Sequence, residues 1–359
     1  MINRSAAAWL LSSLLGASAT LAGESPAAVG RALERAAVAA RMPERAVLLG
    51  AAQAGARIVV VGERGLVTVS DDGGRHWAQS PTPTSVTLTA VRFADARHGY
   101  AVGHAGTVLA STDGGRTWMR RLDGARIAQI ELQAAQAGGD ARAVKLARRL
   151  VADGPDKPLL DLFVLDAKHL LVVGAYGMAL ASDDGGANWA SWRTRLDNPK
   201  ENHLYAVRRR GQRIVVAGEQ GLLLQSTDGG ASFQRIRTPY AGSWFTVELP
   251  SDASITVAGL RGNVWRSDDL GTNWAQFTSP TPSSIVASAQ RPDGSLVLVN
   301  QTGMVLVSPR ATVGALQPMP SAPLPPLSGV LPLTDGTVLA LSVQGVHVLP
   351  SVAVAQETR

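Results

Sequence analysis

Short apolar runs alternate with glycine-containing turns along the chain from about residue 46 onward. In one unit the runs cover residues 88–93, 100–102, 107–111 and 118–122. Runs of this length, rich in Val, Leu and aromatic residues and bounded by turn residues, are typical of β-strands. Each unit therefore predicts four strands, with a tight G-x-x-G turn before the third strand and a longer turn after it.

The longer turn recurs in the form S-x-D-x-G-x-x-W. Its serines fall at positions 70, 111, 182, 226 and 267, so successive spacings are 41, 71, 44 and 41 residues. The same period predicts two more units, at Ser308 and at residues 345–350, which keep the third strand but lack the motif. Seven units predict an all-β fold, a seven-bladed β-propeller over residues 46–359, because closing the ring removes exposed sheet edges. The last unit lacks a clear fourth strand, which we expect from residues 351–356 or from the segment just before Pro43.

The repeated motif has the residue types that close a turn. Asp can accept hydrogen bonds from backbone amides two or three residues on, and Gly can adopt left-handed dihedral angles. The aromatic residue can pack over the strand pair. Because a catalytic carboxylate is needed once and this context occurs five times, we interpret these residues as structural. They are Asp72, Trp77, Asp113, Trp118, Asp184, Trp189, Asp228, Phe233, Asp269 and Trp274.

The one long spacing indicates an insertion over residues 123–158, between the second and third blades. Two apolar stripes predict a helical hairpin, with a turn at residues 138–140 and an end at residues 154–155. The face of the second helix opposite its apolar stripe is basic. It is either a solvated surface or a docking surface for a partner or for lipid. The stripes are Ile127, Ile130 and Ala134, then Val144, Ala147, Leu150 and Val151, and the basic face is Arg142, Lys145 and Arg149.

Composition narrows the possible partners. The net charge is +6 and the pI is about 10.1, but the basic residues are dispersed, so we do not expect nucleic-acid binding. The sequence has no cysteine, which excludes disulfides, thiolate metal sites and acylation at an N-terminal cysteine. Its six histidines show no pair at metal-ligand spacing and no Asp-rich loop resembles a calcium site, so no metal or cofactor is expected.

The first residues have the features of a secretory signal. A short basic region precedes an apolar run and small residues, which predicts a signal peptide over residues 1–22, cut after Ala19 or Ala22. An uncleaved membrane anchor is the alternative, although it needs a longer apolar span. Residues 23–45 then form a lead-in segment to the first blade. We expect an exported, monomeric protein of the periplasm.

The G-x-x-G turns are the candidate partner-binding site. Their glycines recur while their middle residues differ between copies, a pattern typical of recognition loops on a rigid frame. Two longer loops, residues 197–203 and 239–244, are expected on the same face, as is the helical hairpin. The alternative is turn variability without function, with side chains that pack between blades. The candidate partner-binding residues are Glu63, Arg64, His104, Tyr176, Glu219, Arg261, Tyr240 and Trp244.

The repeated motif matches the Asp-box, or BNR, repeat of sialidase-like β-propellers. Over about residues 46–350 the chain also resembles the photosystem II assembly and stability factor family of seven-bladed propellers. Residues 196–199 with His203 and Leu204, residues 239–243 and residues 261–263 carry this narrower resemblance. It implies a non-enzymatic scaffold that assists assembly or stability of a membrane complex from its extracytoplasmic side.

The photosynthetic members of that family bind a reaction-centre subunit before it is assembled. This chain lacks the lipidated cysteine of the cyanobacterial pattern and carries the helical hairpin. Both departures favour another client, an inner-membrane protein such as a transporter or exporter.

A sialidase-like glycosidase or a carbohydrate-binding propeller is the alternative function. A sialidase needs an arginine cluster, an acid, and a tyrosine activated by a glutamate. The Arg-Ile-Pro sequence of sialidases is absent, none of the four tyrosines has an obvious glutamate partner, and we count seven blades where such sialidases have six. Asp161, on a first strand, is the one carboxylate with a possible catalytic role, and we interpret it as a structural, hydrogen-bonded residue.

Overall fold

The computed structural model describes residues 31–310 and 312–350, which form the predicted seven-bladed β-propeller. The proposed signal peptide, residues 1–22, lies outside the described residues. Six sheets have four antiparallel strands in chain order, and three described strands form the seventh. The first strand of each sheet packs against the first strand of the next, and β25 packs against β1, so the ring is closed.

The strands follow one another blade by blade. They are β1 (Leu48–Ala54), β2 (Arg57–Gly62), β3 (Val67–Ser70) and β4 (Ala78–Ser80); β5 (Leu88–Phe93), β6 (Gly99–Gly103), β7 (Val108–Ser111) and β8 (Met119–Leu122); β9 (Leu159–Val164), β10 (Leu170–Gly174), β11 (Ala179–Ser182) and β12 (Ala190–Ser191); β13 (Leu204–Arg210), β14 (Arg213–Gly218), β15 (Leu223–Ser226) and β16 (Gln234–Arg235); β17 (Trp244–Glu248), β18 (Ile255–Gly259), β19 (Val264–Ser267) and β20 (Ala275–Gln276); β21 (Ile285–Gln290), β22 (Leu296–Asn300), β23 (Val305–Val307) and β24 (Gln317–Pro318); β25 (Leu327–Pro332), β26 (Val338–Ser342) and β27 (Gly345–Leu349).

The core lies between neighbouring sheets. Every residue of the second strand is buried in all seven blades, whereas the fourth strands are mostly exposed. Apolar side chains from facing sheets form one cluster per interface, as where Leu88 and Val91 of β5 meet Val59 and Val61 of β2. Because these interfaces run around a closed ring, each blade buries both of its faces.

The repeated S-x-D-x-G-x-x-W turns connect the third and fourth strands of the first five blades. In the second blade, Asp113 accepts hydrogen bonds from the amides of Arg116 and Thr117, both at 3.0 Å. Ser111 donates to the same carboxylate at 2.8 Å and accepts from the amide of Gly115 at 2.9 Å. Buried Trp118 donates to the carbonyl of Gly115 at 3.0 Å. These bonds explain why the motif recurs, since its shared residue types close the turn. We call the five copies the box turns (residues 70–77, 111–118, 182–189, 226–233 and 267–274).

The insertion is the predicted helical hairpin, between β8 and β9. Its helices are α1 (Gly124–Gly138) and α2 (Ala141–Asp153). Asp123 and Asp140 cap their N-termini by accepting from the amides of Arg126 and Arg142. Gly139 ends α1 with a left-handed conformation (φ 73°), as the pair of glycines at this point predicts.

Residues 31–45, the described part of the lead-in segment, do not supply a fourth strand to the seventh blade. Within its described part, Ala37 donates to the carbonyl of Thr82, and the carbonyl of Ala32 accepts from Ser85, so it lies against the first blade. That alternative is therefore wrong for these residues, and residues 351–356 lie outside the described part of the chain. Among the residues described, no helix is both long and apolar enough to span a membrane.

Candidate functional site

The G-x-x-G turns connect the second and third strands, at the end of each blade where the first strand begins. We call this side the turn face, made by residues 62–65, 103–106, 174–177, 218–221 and 259–262 with the loops between blades. In the second blade the amide of His104 donates to the carbonyl of Thr87 at 2.8 Å. A Cβ on Gly103 would lie 2.2 Å from that same oxygen, so only glycine fits. The turns are thereby fixed to the strands beside them.

The second middle residue of these turns is left-handed in five consecutive blades, although none is glycine. The φ angles are 55° at Arg64, 54° at Ala105, 56° at Tyr176, 52° at Gln220 and 58° at Arg261. An L-residue pays about 1–2 kcal/mol for this conformation, and such strain is concentrated at functional sites. Four of the five side chains are exposed. The turn face therefore presents one strained, exposed residue in each of four blades.

Aromatic rings from three blades lie side by side on this face. Tyr176 and His203 have ring centroids 4.9 Å apart, His203 and Tyr205 6.3 Å, and Tyr205 and Phe245 5.2 Å. Tyr176 is 47% exposed and the other three are partly exposed. We call these four residues the aromatic cluster. Surface tyrosine rings held in this way are typical anchors for a protein partner.

Glu219 holds the cluster in place from the turn of the fourth blade. Its carboxylate accepts from the amide of His203 at 2.8 Å and from the hydroxyl of Tyr205 at 3.2 Å. Burial and the neighbouring Glu219 raise the pKa of Tyr205 to about 12. Our expectation that no tyrosine has a glutamate partner is therefore wrong. The pair escapes sequence analysis because it forms between a strand and a turn. The raised pKa of Tyr205 disfavours the phenolate, the form in which a tyrosine is most nucleophilic.

The other predicted partner-binding residues are distributed around the face. Glu63, Arg64 and His104 are exposed on the turns of the first two blades, and Arg261 is exposed on the turn of the fifth. Of the predicted residues, Tyr176 belongs to the aromatic cluster and Glu219 supports it. Sequence analysis missed the cluster members His203, Tyr205 and Phe245, although residues 197–203 were expected on this face.

Trp244 is not a surface residue. Its side chain is fully buried, with the ring of Tyr240 at 5.4 Å in an edge-on contact. Its predicted role in direct partner contact is corrected to core packing, because its position as the first residue of β17 turns it between the fourth and fifth blades. Tyr240 is partly buried and donates to the carbonyl of Leu260 at 3.4 Å.

Asp161 lies within a network of charges on the first strands. It is 5% exposed and accepts from Arg208 Nη1 at 2.7 Å, from Arg92 Nη2 at 3.2 Å and from the amide of Val207 at 3.1 Å. Arg208 also approaches Glu248, which accepts from Ser288 at 2.9 Å. The network links five consecutive blades. Its contacts explain Asp161 as a structural residue, since both carboxylate oxygens are bound.

The opposite charges of this network favour each other's charged forms. Burial disfavours the charged form of Arg208, but neighbouring Glu248 and Asp161 outweigh that effect and raise its pKa. Burial lowers the pKa of Arg92, against the attraction of Asp161. The arginines nearest these carboxylates are thus engaged in ion pairs. Within the described residues, no group of three or more His, Asp or Glu side chains could hold a metal ion.

The helical hairpin lies on the turn face. A Cβ on Gly106, in the turn of the second blade, would meet Gly124 and Ile127 of α1 at 2.6–2.8 Å, so the two elements are in close contact. At the end of the hairpin, Lys157 Nζ lies 5.5 Å from the ring centroid of Tyr176. The hairpin therefore borders the aromatic cluster.

Several solved structures are similar to this chain in fold. A structure of YCF48 bound to a D1 peptide has a TM-score of 0.63 at 15% identity, covering 88% of this chain and 99% of that chain. YCF48 from Cyanidioschyzon merolae has a TM-score of 0.63 at 16% identity, covering 85% and 96%. The WD40 propeller domain of Doa1 has a TM-score of 0.62 at 10% identity, covering 89% and 96%. At these identities the likeness shows the fold alone.

A match to a family profile identifies this chain more specifically than its structural similarities do. No curated protein sequence matches this chain. The profile described as "Photosynthesis system II assembly factor YCF48", however, matches residues 71–145 and 141–311, well over half of the chain. The chain therefore belongs to the YCF48 family of photosynthesis system II assembly factors.

Proposed function

We propose that this protein is a non-enzymatic scaffold that assists assembly or stability of a membrane protein complex and binds its client through the turn face. The observation that carries the proposal is the aromatic cluster, which is held by one turn and by the beginnings of two first strands, all fixed by backbone hydrogen bonds. Rigid aromatic anchors bind at low entropic cost because little is left to be ordered on binding.

The client is an extracytoplasmic segment of an inner-membrane protein, such as a transporter or exporter. Three considerations support this choice. The YCF48 structure with a D1 peptide provides a relative that binds a peptide. The N-terminal sequence has the pattern of a signal peptide, and the hairpin and the lack of cysteine distinguish this chain from the lipidated photosynthetic pattern. We place the protein in the periplasm on the same grounds.

Copurification from detergent-solubilised membranes tests the proposal. We expect Tyr176→Ala with Arg261→Glu to reduce recovery of the client by about tenfold or more, because interface anchors of these types contribute at least about 1–2 kcal/mol each. Arg75→Glu, an exposed arginine on a box turn at the opposite end of the blades, is the matched control and should leave recovery unchanged. Equal recovery with both variants would refute binding through the turn face.

A glycan-directed role is the second candidate, and the Tyr205–Glu219 pair is the observation in its favour. Sialidases place a tyrosine nucleophile beside a glutamate, and here the same residue types meet at 3.2 Å. A chromogenic sialoside separates the two functions. We expect no turnover by the purified protein, and turnover that is lost in Glu219→Gln would replace the scaffold function with a hydrolytic one.

A further inference from the structure

The outward face of α2 is cationic. The thirteen residues Ala141–Asp153 include four basic side chains and one acidic side chain. Arg142, Lys145 and Arg149 are exposed and recur at helical spacing, so they share one face. Leu146 lies at the edge of that face and is 39% exposed. The opposite face, centred on buried Ala147, packs against α1.

Most of this charge has no partner in the described part of the chain. Arg149 is 4.0 Å from Asp153, which Lys157 also approaches at 3.7 Å. For Arg142, Lys145 and Arg148, the described residues provide no ion pair. Asp140 is occupied as the N-cap of α2, where it accepts from the amide of Arg142 at 2.9 Å. On the cationic face, Arg142 and Lys145 are therefore free to meet anions outside the protein, and Arg149, whose side chain is 80% exposed, is held only by a contact of 4.0 Å.

We propose that this face contacts the anionic lipid headgroups of a bilayer. Flexible cationic side chains beside an exposed leucine suit a diffuse layer of phosphates, in which the charges attract the headgroups and the apolar side chain enters the boundary of the acyl region. The carbon stems of the arginines and the lysine can lie along that boundary while their charges stay in water.

The position of the hairpin agrees with a bilayer contact. Because α1 packs on the turn of the second blade and Lys157 lies beside Tyr176, the basic helix borders the face to which we assign the client. A client held there is itself embedded in the membrane. The inference thus rests on the proposed function for its biological meaning, although the lipid contact can be measured without any client.

Vesicle flotation with the purified full chain tests the proposal. We expect binding to phosphatidylcholine vesicles made anionic with about one third phosphatidylglycerol, because the negative surface attracts basic side chains, and weaker binding at higher salt, which screens that attraction. The triple variant Arg142→Glu, Lys145→Glu and Arg149→Glu should bind on the order of 100-fold more weakly. Pure phosphatidylcholine vesicles report any binding that does not depend on lipid charge.

A matched triple variant has the same change in net charge, placed at the end of the blades where the box turns lie. Arg75→Glu, Arg97→Glu and Arg116→Glu alter exposed arginines near the box turns and should retain vesicle binding. Leu146→Ser, which keeps the charges, should weaken binding by a few-fold. Circular dichroism confirms that each variant is folded.

Three results would overturn the lipid contact. They are no binding of the wild type to anionic vesicles, equal loss of binding in both triple variants, and equal binding of the wild type to anionic and to pure phosphatidylcholine vesicles. If the first result is accompanied by loss of client copurification in the α2 variant, the ligand of this face is an acidic protein surface. Failure of the turn-face variants to lose the client would instead refute the proposed function and leave vesicle binding intact.

Discussion

At the scale of single residues, the left-handed tips of the turns combine local strain with exposure. A glycine would remove the strain, yet Arg64, Ala105, Tyr176, Gln220 and Arg261 occupy this position in five blades. Four of the five side chains are exposed, so packing in the core does not account for them. The stored strain is thus best explained by what these side chains contact outside the protein.

Arg261 tests this interpretation of the strain. We expect Arg261→Gly to leave the free energy of unfolding unchanged or to raise it by up to about 1 kcal/mol, because glycine adopts a φ of 58° without strain. Arg261→Val should lower it by about 1–2 kcal/mol, because a β-branched residue is poorly accommodated there. Urea denaturation measures both, and equal losses would argue against strain at this position.

Asp161 is a second residue whose role has a measurable consequence. Asp161→Ala leaves Arg92, Arg208 and the amide of Val207 without their acceptor, so we expect a loss of about 3 kcal/mol in unfolding free energy. Asp161→Asn keeps an acceptor oxygen and should lose less. A stable alanine variant would show that the network contributes little to the fold.

At the scale of structural elements, the box turns depend on charged carboxylates. Hydrogen bonds from backbone amides and from Asn side chains lower the pKa of Asp184 and of Asp269 to about 2. The turns between the first and second strands of the second and third blades behave in the same way. There, backbone amides and a histidine side chain lower the pKa of Asp95 and of Asp166 to about 2. These carboxylates are therefore charged in the folded protein well below the pH at which they protonate in an unfolded chain.

These charged carboxylates make the stability of the fold depend on pH in the acid range. Because the folded-state pKa lies below the unfolded value near 3.9, the stabilisation is complete above about pH 4–5 and is lost as the pH falls towards 2. We expect Asp184→Asn to flatten part of this dependence in acid titrations followed by circular dichroism. The control Asp183→Asn, at the exposed neighbouring position, should follow the wild type.

The hairpin carries a carboxylate with the opposite behaviour. Glu131 on α1 is 6% exposed, and burial raises its pKa although Ser191 donates to it at 3.0 Å. Because the folded state holds this proton more tightly than the unfolded state, stability falls as the pH rises from about 4 through the raised pKa. Glu131→Gln should therefore raise the melting temperature at pH 8 more than at pH 4. An equal change at both pH values would contradict the assignment.

The elements differ in how far sequence could predict them. The box turns and the hairpin were predictable because their contacts are local: Asp113 binds amides three and four residues on, and the stripes of the hairpin recur at helical spacing. The aromatic cluster and the Asp161 network were not predictable, because Tyr205 and Arg208 meet their partners Phe245 and Asp161 only when neighbouring blades pack together. Trp244 was misjudged for a related reason, since only the packing of two blades reveals its burial.

At the scale of the whole molecule, the two ends of each blade differ in chemistry. The box turns close one end through hydrogen bonds within the same short segment, with their aromatic residues turned into the core. The turn face carries the strained tips, the aromatic cluster and the hairpin. This difference leads to the central claim, that a membrane client binds one face and not the other.

Site-specific photocrosslinking in intact cells tests that claim most directly. Photoreactive residues placed at Tyr176 and Arg261 report on the turn face, and those at Arg75 and Arg116 report on the box turns. We predict that the first two positions capture the same inner-membrane protein and that the other two do not. Capture of that protein from the box turns, or no capture from any position while the purified protein cleaves or binds glycans, would contradict the claim.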